Sequence, residues 1–355
     1  MTPAVLITGG TGYLAQGVAR RYLETTSLDV VLAARAPAPG LLAGPRVGWV
    51  EADLTRRAPF GCLPAGERDR IVQLVHAAAA TRFNVDRATA VAVNVEGMAR
   101  ALELAAGCPN LASFGYLSTV YASGLGAGVV AEAPLGAPPG FANEYERSKW
   151  EAEQLVEAAG LPARVLRVAT VVAAGDAGVV EQHNAVHTTL RLCFHGLLPL
   201  LPGDPSTPLY LVTADFVTAA TVALMGPAGD RGGVFHLCHR RDQSVRLGRL
   251  IEVAFETFGE DGDFRRRRVM APLLADLVSF DLMVGALGGA DAGVVGQALA
   301  GVAPFARQLY VDKDVANDRL AAALGDSPAP EPEELLRRVC RHLVATRWGR
   351  HVAVA

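Results

Sequence analysis

The sequence lacks an excess of either charge: 33 basic side chains stand against 36 acidic ones, a net of −3. That balance leaves no electrostatic footprint for nucleic acid. Cysteine is sparse. Cys62, Cys108, Cys193, Cys238 and Cys340 form no CxxC pair and no metal-like spacing. An odd, scattered set reads as reduced thiols in a cytoplasmic protein. Met1-Thr2-Pro3 opens no charged segment with a long apolar run behind it, so no export signal is expected. Long uncharged apolar runs are also missing. The stretch from Ala271 to Tyr310 is interrupted by Asp276, Asp281 and Asp291, short of the ~18 apolar residues a membrane span needs. It reads as a pair of buried or cleft-lining helices. The one local charge run, Arg265–Arg268, reads as a solvated patch, with a phosphate-bearing ligand as the alternative.

What the chain has in quantity is apolar surface, 51% hydrophobic against 19% charged over 355 residues. That is enough for a large core and a smaller second lobe. Short apolar strands are expected at Ala4–Thr8, Asp29–Ala33, Val47–Val50, Ile71–Val75, Ala112–Leu117 and Arg164–Val168. Helical patterns fill 86–106 and 144–159. Continuous apolar strands alternating with helices mean a parallel sheet covered on both faces, doubly wound by right-handed crossovers. After about residue 170 the rhythm breaks. His183–Leu198 looks helical, Tyr210–Ala220 and Gly233–Leu237 look like a return to the sheet, and 243–310 is helical and apolar. Ser327–Glu331 is Pro-rich, and Glu333–Arg347 is a final amphipathic helix. The expected α/β architecture is a Rossmann domain from 1–172 and about 207–240. A mostly helical substrate lobe is assembled from about 173–206 and 241–355.

Residues 8–15, T-G-G-T-G-Y-L-A, lie between a strand and a helix, where Gly-rich turns cradle pyrophosphate. Gly9 allows a tight turn, Gly12 a close approach of backbone to phosphate, and Ala15 close helix–strand packing. Thr8, Thr11, Tyr13 and Leu14 complete the cradle. The second strand ends in Arg35 with no carboxylate. Arginine there suits a 2′-phosphate, so NADP(H) is favoured and NAD(H) is the alternative. Asp53 and Leu54 follow the third strand. The carboxylate would accept from an adenine amino group while Leu54 packs on the ring; Asp53 would equally serve as a helix N-cap.

Tyr145 and Lys149 stand at i and i+4, on one helix face. A phenol near pKa ~10 is a poor proton trader at neutral pH, and an ammonium one turn away eases its ionisation. Ser118 and Thr119 follow the fifth strand at the carboxyl edge of the sheet, where a hydroxyl can bind a substrate carbonyl oxygen. Thr119 is assigned to the substrate and Ser118 to support. Asn94 would bridge Lys149 through a water or be a surface amide. His183, His187 and His195 recur at helical spacing, but no third zinc ligand is evident, so they read as surface or cleft-lining groups. His76 reads as structural, beside the cofactor.

With these motifs in this order the chain resembles extended short-chain dehydrogenases/reductases. It looks nearest to the fatty acyl reductase and thioester reductase branch. The likeness rests on His76-Ala77-Ala78-Ala79-Ala80-Thr81-Arg82-Phe83, Asn94-Val95-Glu96-Gly97, Leu117-Ser118-Thr119-Val120-Tyr121 and Asn143-Glu144-Tyr145 through Lys149. It departs at Arg167-Val168, where the family usually has Arg-Pro. The resemblance implies NADPH-dependent reduction of an acyl thioester, on coenzyme A or an acyl-carrier protein, to an aldehyde and onward to an alcohol. Ala77 and Ala78 would border the cofactor and Lys149 would hold its ribose. The resemblance also allows a monomer, or a homodimer through a bundle of helices 86–106 and 144–159. Other carbonyl chemistries of such enzymes, ketone or alcohol conversion and nucleotide-sugar epimerisation, are the alternatives. A cofactor-binding sensor without turnover would need no proton donor.

Overall fold

The computed structural model describes residues 2–36, 41–226, 232–287, 293–325 and 329–349. Asp291 and the start of the Pro-rich stretch at Ser327 lie outside the described residues. Seven strands build the central sheet: β1 Ala4–Thr8, β2 Asp29–Ala34, β3 Val47–Glu51, β4 Ile71–His76, β5 Ser113–Thr119, β6 Ala163–Val168 and β7 Gly233–Leu237. All neighbours run parallel in the order β7-β6-β5-β4-β1-β2-β3. The residues of β1 are fully buried, as expected for a strand sandwiched between helical layers. The order reverses between β1 and β4, which opens a crevice at their carboxyl ends. Thr8 of β1 is there in register with His76 of β4 and Ala33 of β2.

Helix α1, Tyr13–Thr25, buries Ala15, Val18, Ala19 and Tyr22 against one face of the sheet. Helix α2, Glu96–Ala106, and helix α3, Glu144–Ala158, cover the other face through Met98, Ala101, Ala152 and Val156. The pattern over 86–106 is not one regular helix. A short α-helix, Arg87–Ala90, passes through a π-helical turn, Val91–Val95, before α2 begins. The π turn rotates Asn94 inward, a position that the 3.6-residue period does not reveal.

The return to the sheet expected over Tyr210–Ala220 does not occur. Leu211–Thr213 instead pairs with Thr170–Ala173 in a separate two-stranded ladder. Ala214–Met225 is a helix, α4. Thr213 caps it by accepting from the Phe216 N–H, and Val217, Ala220, Thr221 and Leu224 are buried at helical spacing. A helix buried on most sides looks like a strand when only apolar content is weighed. Gly233–Leu237 does rejoin the sheet, beside β6.

The remaining segments form a separate hydrophobic cluster. It gathers Leu190, Cys193 and Phe194 of α5 (Ala185–Phe194) and Leu250, Val253 and Phe258 of α6 (Leu247–Phe258). Leu335, Val339 and Leu343 of α7 (Pro332–Ala345) complete it. The apolar stretch after residue 271 forms two helices, Leu277–Leu287 and Gly293–Val302, which are only half buried. Phe280, Leu299 and Val302 pack inward, while Val278 and Leu282 are each 70% exposed. Among the described residues no helix is long and apolar enough to cross a membrane.

Candidate functional site

One cleft of about 1100 Å³ runs from the Gly-rich turn, past the carboxyl ends of β4 and β5, to the walls of the helical cluster. At one end Gly9 has φ +69°, and a Cβ there would sit 2.7 Å from the Ala78 Cα. Only glycine fits such a turn. Gly12 is the N-cap of α1 and no side chain caps the helix, so its first N–H groups remain available to an anion. Thr8 fastens the cradle to β4. Its Oγ1 shares a 2.9 Å hydrogen bond with His76 Nδ1 and accepts from the Ala78 N–H. Burial, followed by the Lys149 charge, pushes His76 down to about 3, so this imidazole is a neutral fastener.

Thr8, Gly9, Thr11, Gly12, Tyr13 and Leu14 line this end, joined by Arg35, Asp53, Leu54, Ala77 and Ala78. Arg35 lies one residue beyond β2 and is exposed. Asp53 caps no helix. Its Oδ1 accepts from the Thr55 N–H at 3.0 Å and the Thr55 hydroxyl at 2.7 Å, closing a turn. These bonds hold its carboxyl below the usual range. A cradle that a Cβ would fill, an uncapped helix and a cation at the strand end suit a dinucleotide.

Asn143 starts α3 by accepting from the Glu146 N–H, which sets the helix so that Tyr145 and Lys149 face the cleft. Thr119 is the last residue of β5, not a loop residue after it. Its Oγ1 accepts from the Tyr121 N–H, and it lines the same cleft as the Tyr145 phenol. Burial holds that phenol well above its ordinary value, and the neighbouring Thr119 side chain works the other way. Lys149 Nζ is anchored on the backbone of β5. It donates to the Leu117 carbonyl at 2.7 Å and lies 4.2 Å from the Tyr116 ring centre. Burial pushes this ammonium down to about 7, with Glu153 opposing.

Ser118, on the opposite strand face from Thr119, gives its hydroxyl to Glu153 at 2.5 Å. Glu153 in turn meets Arg167 Nη2 at 2.8 Å, in an ion pair whose partners are 4% and 0% exposed. Asn94 is neither a bridge to Lys149 nor a surface amide. Its Oδ1 accepts from the Ala80 N–H, and its Nδ2 donates to the Ala80 carbonyl and the Ser148 hydroxyl. It therefore clamps the 77–83 loop to α3.

The histidine spacing does not make a zinc site. His187 Nδ1 accepts from the Asn184 N–H and Nε2 bonds the Val172 carbonyl, so neither nitrogen is left for a metal. Among the described residues no group of three or more metal-ligating side chains converges. Arg265–Arg268 lies outside the cleft lining and is exposed. Sequence reasoning missed Phe83, Phe305, Tyr121, Thr170, Gln308 and Lys313, all of which line the cleft. The Phe83 ring packs against Tyr145 at 5.7 Å, Phe305 at 5.8 Å and Tyr121 at 6.2 Å. Phe83 and Tyr121 close two of the motifs that carry the resemblance, but those motifs assign them no role, and Phe305, Thr170, Gln308 and Lys313 lie far from them along the chain.

The chain matches the family model described as male sterility protein over residues 45–221, about half its length. It is similar to an isonitrile lipopeptide synthase of Streptomyces coeruleorubidus, 31% identical over 211 residues. That match covers 53% of this chain and 14% of the relative, so the chain spans a small part of that protein's length. Among solved structures it resembles the terminal R domain from the myxalamid PKS-NRPS biosynthetic pathway. The TM-score is 0.75 at 23% identity, covering 98% of this chain and 92% of the other. A thiolation-reductase di-domain from an archaeal non-ribosomal peptide synthetase gives 0.71 at 18%, covering 98% and 76%. The UDP-glucuronic acid 4-epimerase from Bacillus cereus, in complex with NAD, gives 0.68 at 16%, covering 97% and 99%. At these identities the structures share the fold.

Proposed function

We propose that this chain, an NAD(P)-dependent oxidoreductase that matches the male sterility family over residues 45–221, is an extended short-chain dehydrogenase/reductase that reduces an acyl thioester, held on coenzyme A or a carrier protein, to the aldehyde. The observation that carries the reading is one cleft with three parts. A dinucleotide cradle lies at one end, Thr119 and Tyr145 in the middle, and Leu190, Leu250, Ile251 and Phe255 beyond them. Walls of that kind suit an acyl chain better than a sugar diphosphate. The carrier-associated reductases that share the fold point the same way.

A bound nicotinamide cofactor supplies the hydride. The chain's own residues bind, orient and donate. Gly9, Gly12 and the first N–H groups of α1 receive the pyrophosphate. Arg35 receives a 2′-phosphate, which makes NADPH the favoured form. Leu54 and Asp53 border the adenine, and Lys149 holds the ribose. The hydroxyls of Thr119 and Tyr145 polarise the carbonyl and stabilise the oxygen as it gains charge. The raised phenol of Tyr145 keeps its proton for donation, which a second reduction to the alcohol would require. We assign cofactor binding to residues 1–172 and about 207–240, and acyl binding to the remaining segments.

The test follows NADPH absorbance with octanoyl-CoA, octanal, a ketone and a UDP-sugar, for wild type and Tyr145→Phe. The expected result is thioester turnover that falls by roughly 10²-fold or more in the variant, with cofactor affinity kept. Turnover indifferent to the substitution would reject the mechanism. Epimerisation consumes no NADPH, so the UDP-sugar is followed by chromatography, and its conversion alone would favour the epimerase reading, to which the Bacillus cereus likeness points.

A further inference from the structure

Of the 33 basic side chains only two are lysines, Lys149 and Lys313. Both line the cleft, and they are 2% and 6% exposed. Arginine supplies every other fixed cation. Lysine, a compact charge able to pass protons, is kept to these two places.

The surroundings of the two lysines correspond. Lys149 shares the cleft with a tyrosine and a threonine, Tyr145 and Thr119. Lys313 lies 5.8 Å from the ring centre of Tyr121, whose hydroxyl shares a 3.0 Å hydrogen bond with Thr170. Each ammonium donates to a backbone carbonyl, Leu117 for Lys149 and Gly124 for Lys313. Lys313 also donates to Gln308 Oε1 at 3.1 Å, and the Gln308 amide donates to Glu146. The two sets meet at Thr119, whose oxygen accepts from the Tyr121 N–H, and at Phe83, whose ring touches both tyrosines. Burial lowers the Lys313 ammonium, with Glu146 opposing, and raises the Tyr121 phenol.

Ketone reduction needs one proton-donating set. Thioester reduction has a second demand, because sulfur must leave. Resting on the thioester reading, we propose that Tyr121, Thr170 and Lys313 form a second proton-donating set that serves the departing thiol. Once hydride has reached the carbonyl carbon, the negative charge rests on an oxygen held by Thr119 and Tyr145. Collapse re-forms the C=O bond and breaks the C–S bond, whose electron pair stays on sulfur. The sulfur takes a proton from the hydrogen-bonded Thr170–Tyr121 pair and leaves as a thiol. The Tyr121 phenolate that remains is held by the Lys313 ammonium until solvent returns the proton.

The experiment compares wild type with Tyr121→Phe, Thr170→Val and Lys313→Met on three probes. These are the octanoyl thioester of N-acetylcysteamine, S-phenyl thiooctanoate and octanal. Turnover of the alkyl thioester is expected to fall about tenfold or more, while octanal stays within about twofold of wild type. The phenyl thioester should lose much less, because thiophenolate leaves without a proton. Thr170→Ser, which keeps the hydroxyl, should restore the alkyl thioester. Equal losses on all three probes, or no loss on any, overturn the inference and leave a structural hydrogen bond. A wild type that reduces neither thioester overturns the thioester reading, and this inference with it. If Tyr121→Phe fails to fold by thermal melting, Thr170→Val against Thr170→Ser decides by the same comparison.

Discussion

Replacing Arg167 with Met removes the cation from the best-buried ion pair among the described residues. Arg167 is 0% exposed and Glu153 4%. Arg167 donates to Glu153 through Nε and Nη2 and to the Ala133 carbonyl at 3.0 Å, and it meets His236 Nε2 at 3.0 Å. Without it the hydrogen-bond partner left to the buried Glu153 carboxylate is the Ser118 hydroxyl. Stranding a buried carboxylate in this way costs about 3–5 kcal/mol. Unfolding entropy near 2.1 cal/mol/K per residue over 355 residues gives roughly 0.7 kcal/mol/K, so the melting temperature should fall by about 4–7 °C. A double-mutant cycle separates the stranded charge from lost packing. Arg167→Met with Glu153→Leu should be no less stable than Arg167→Met alone, because no charge is then left behind. Differential scanning calorimetry and chemical denaturation measure both. Single variants that lose under about 1 kcal/mol, or a double variant that loses the sum of the two, would refute the reasoning.

Gly9→Ala forces a Cβ to within 2.7 Å of the Ala78 backbone at φ +69°; it should cost about 1–3 kcal/mol of stability and weaken cofactor binding, read by melting and fluorescence titration. Arg35→Ala should cut kcat/KM for NADPH by roughly 10- to 100-fold and leave NADH nearly unchanged, so parallel losses would remove Arg35 from the 2′-phosphate site. The buried imidazoles set an acid limit. Burial pushes His76 and His236 down to about 3 and His187 to about 4. Each is neutral in the fold but binds a proton in the unfolded chain below about pH 6.5. Stability is therefore full above that pH and falls as pH drops toward 4, by up to about 1.4 kcal/mol per pH unit for each histidine. His236→Gln should flatten the slope measured by urea unfolding between pH 6.5 and 4.5, and an unchanged slope would contradict the assignment.

The chain's own pattern determined the sheet and its ends. Short apolar runs alternating with helical patterns placed all seven sheet strands. Glycines between a strand and a helix located the cradle, and Tyr145 and Lys149 at i, i+4 fell on one helix face because a helix repeats every 3.6 residues. Local signals failed where burial was uniform. A helix apolar on most sides, Ala214–Met225, looked like a strand, and the π turn at Val91–Val95 turned Asn94 inward against the regular period. Tertiary structure alone decided what meets across the cleft. Lys313 stands 164 residues beyond Lys149 in the chain, yet both line one cavity. The hydrogen bond from the Lys149 ammonium to the Leu117 carbonyl follows from which buried acceptor lies within reach. Local spacing sets which face of an element a side chain occupies; the packing of distant elements sets its partner, because a buried donor must find an acceptor wherever the fold has brought one.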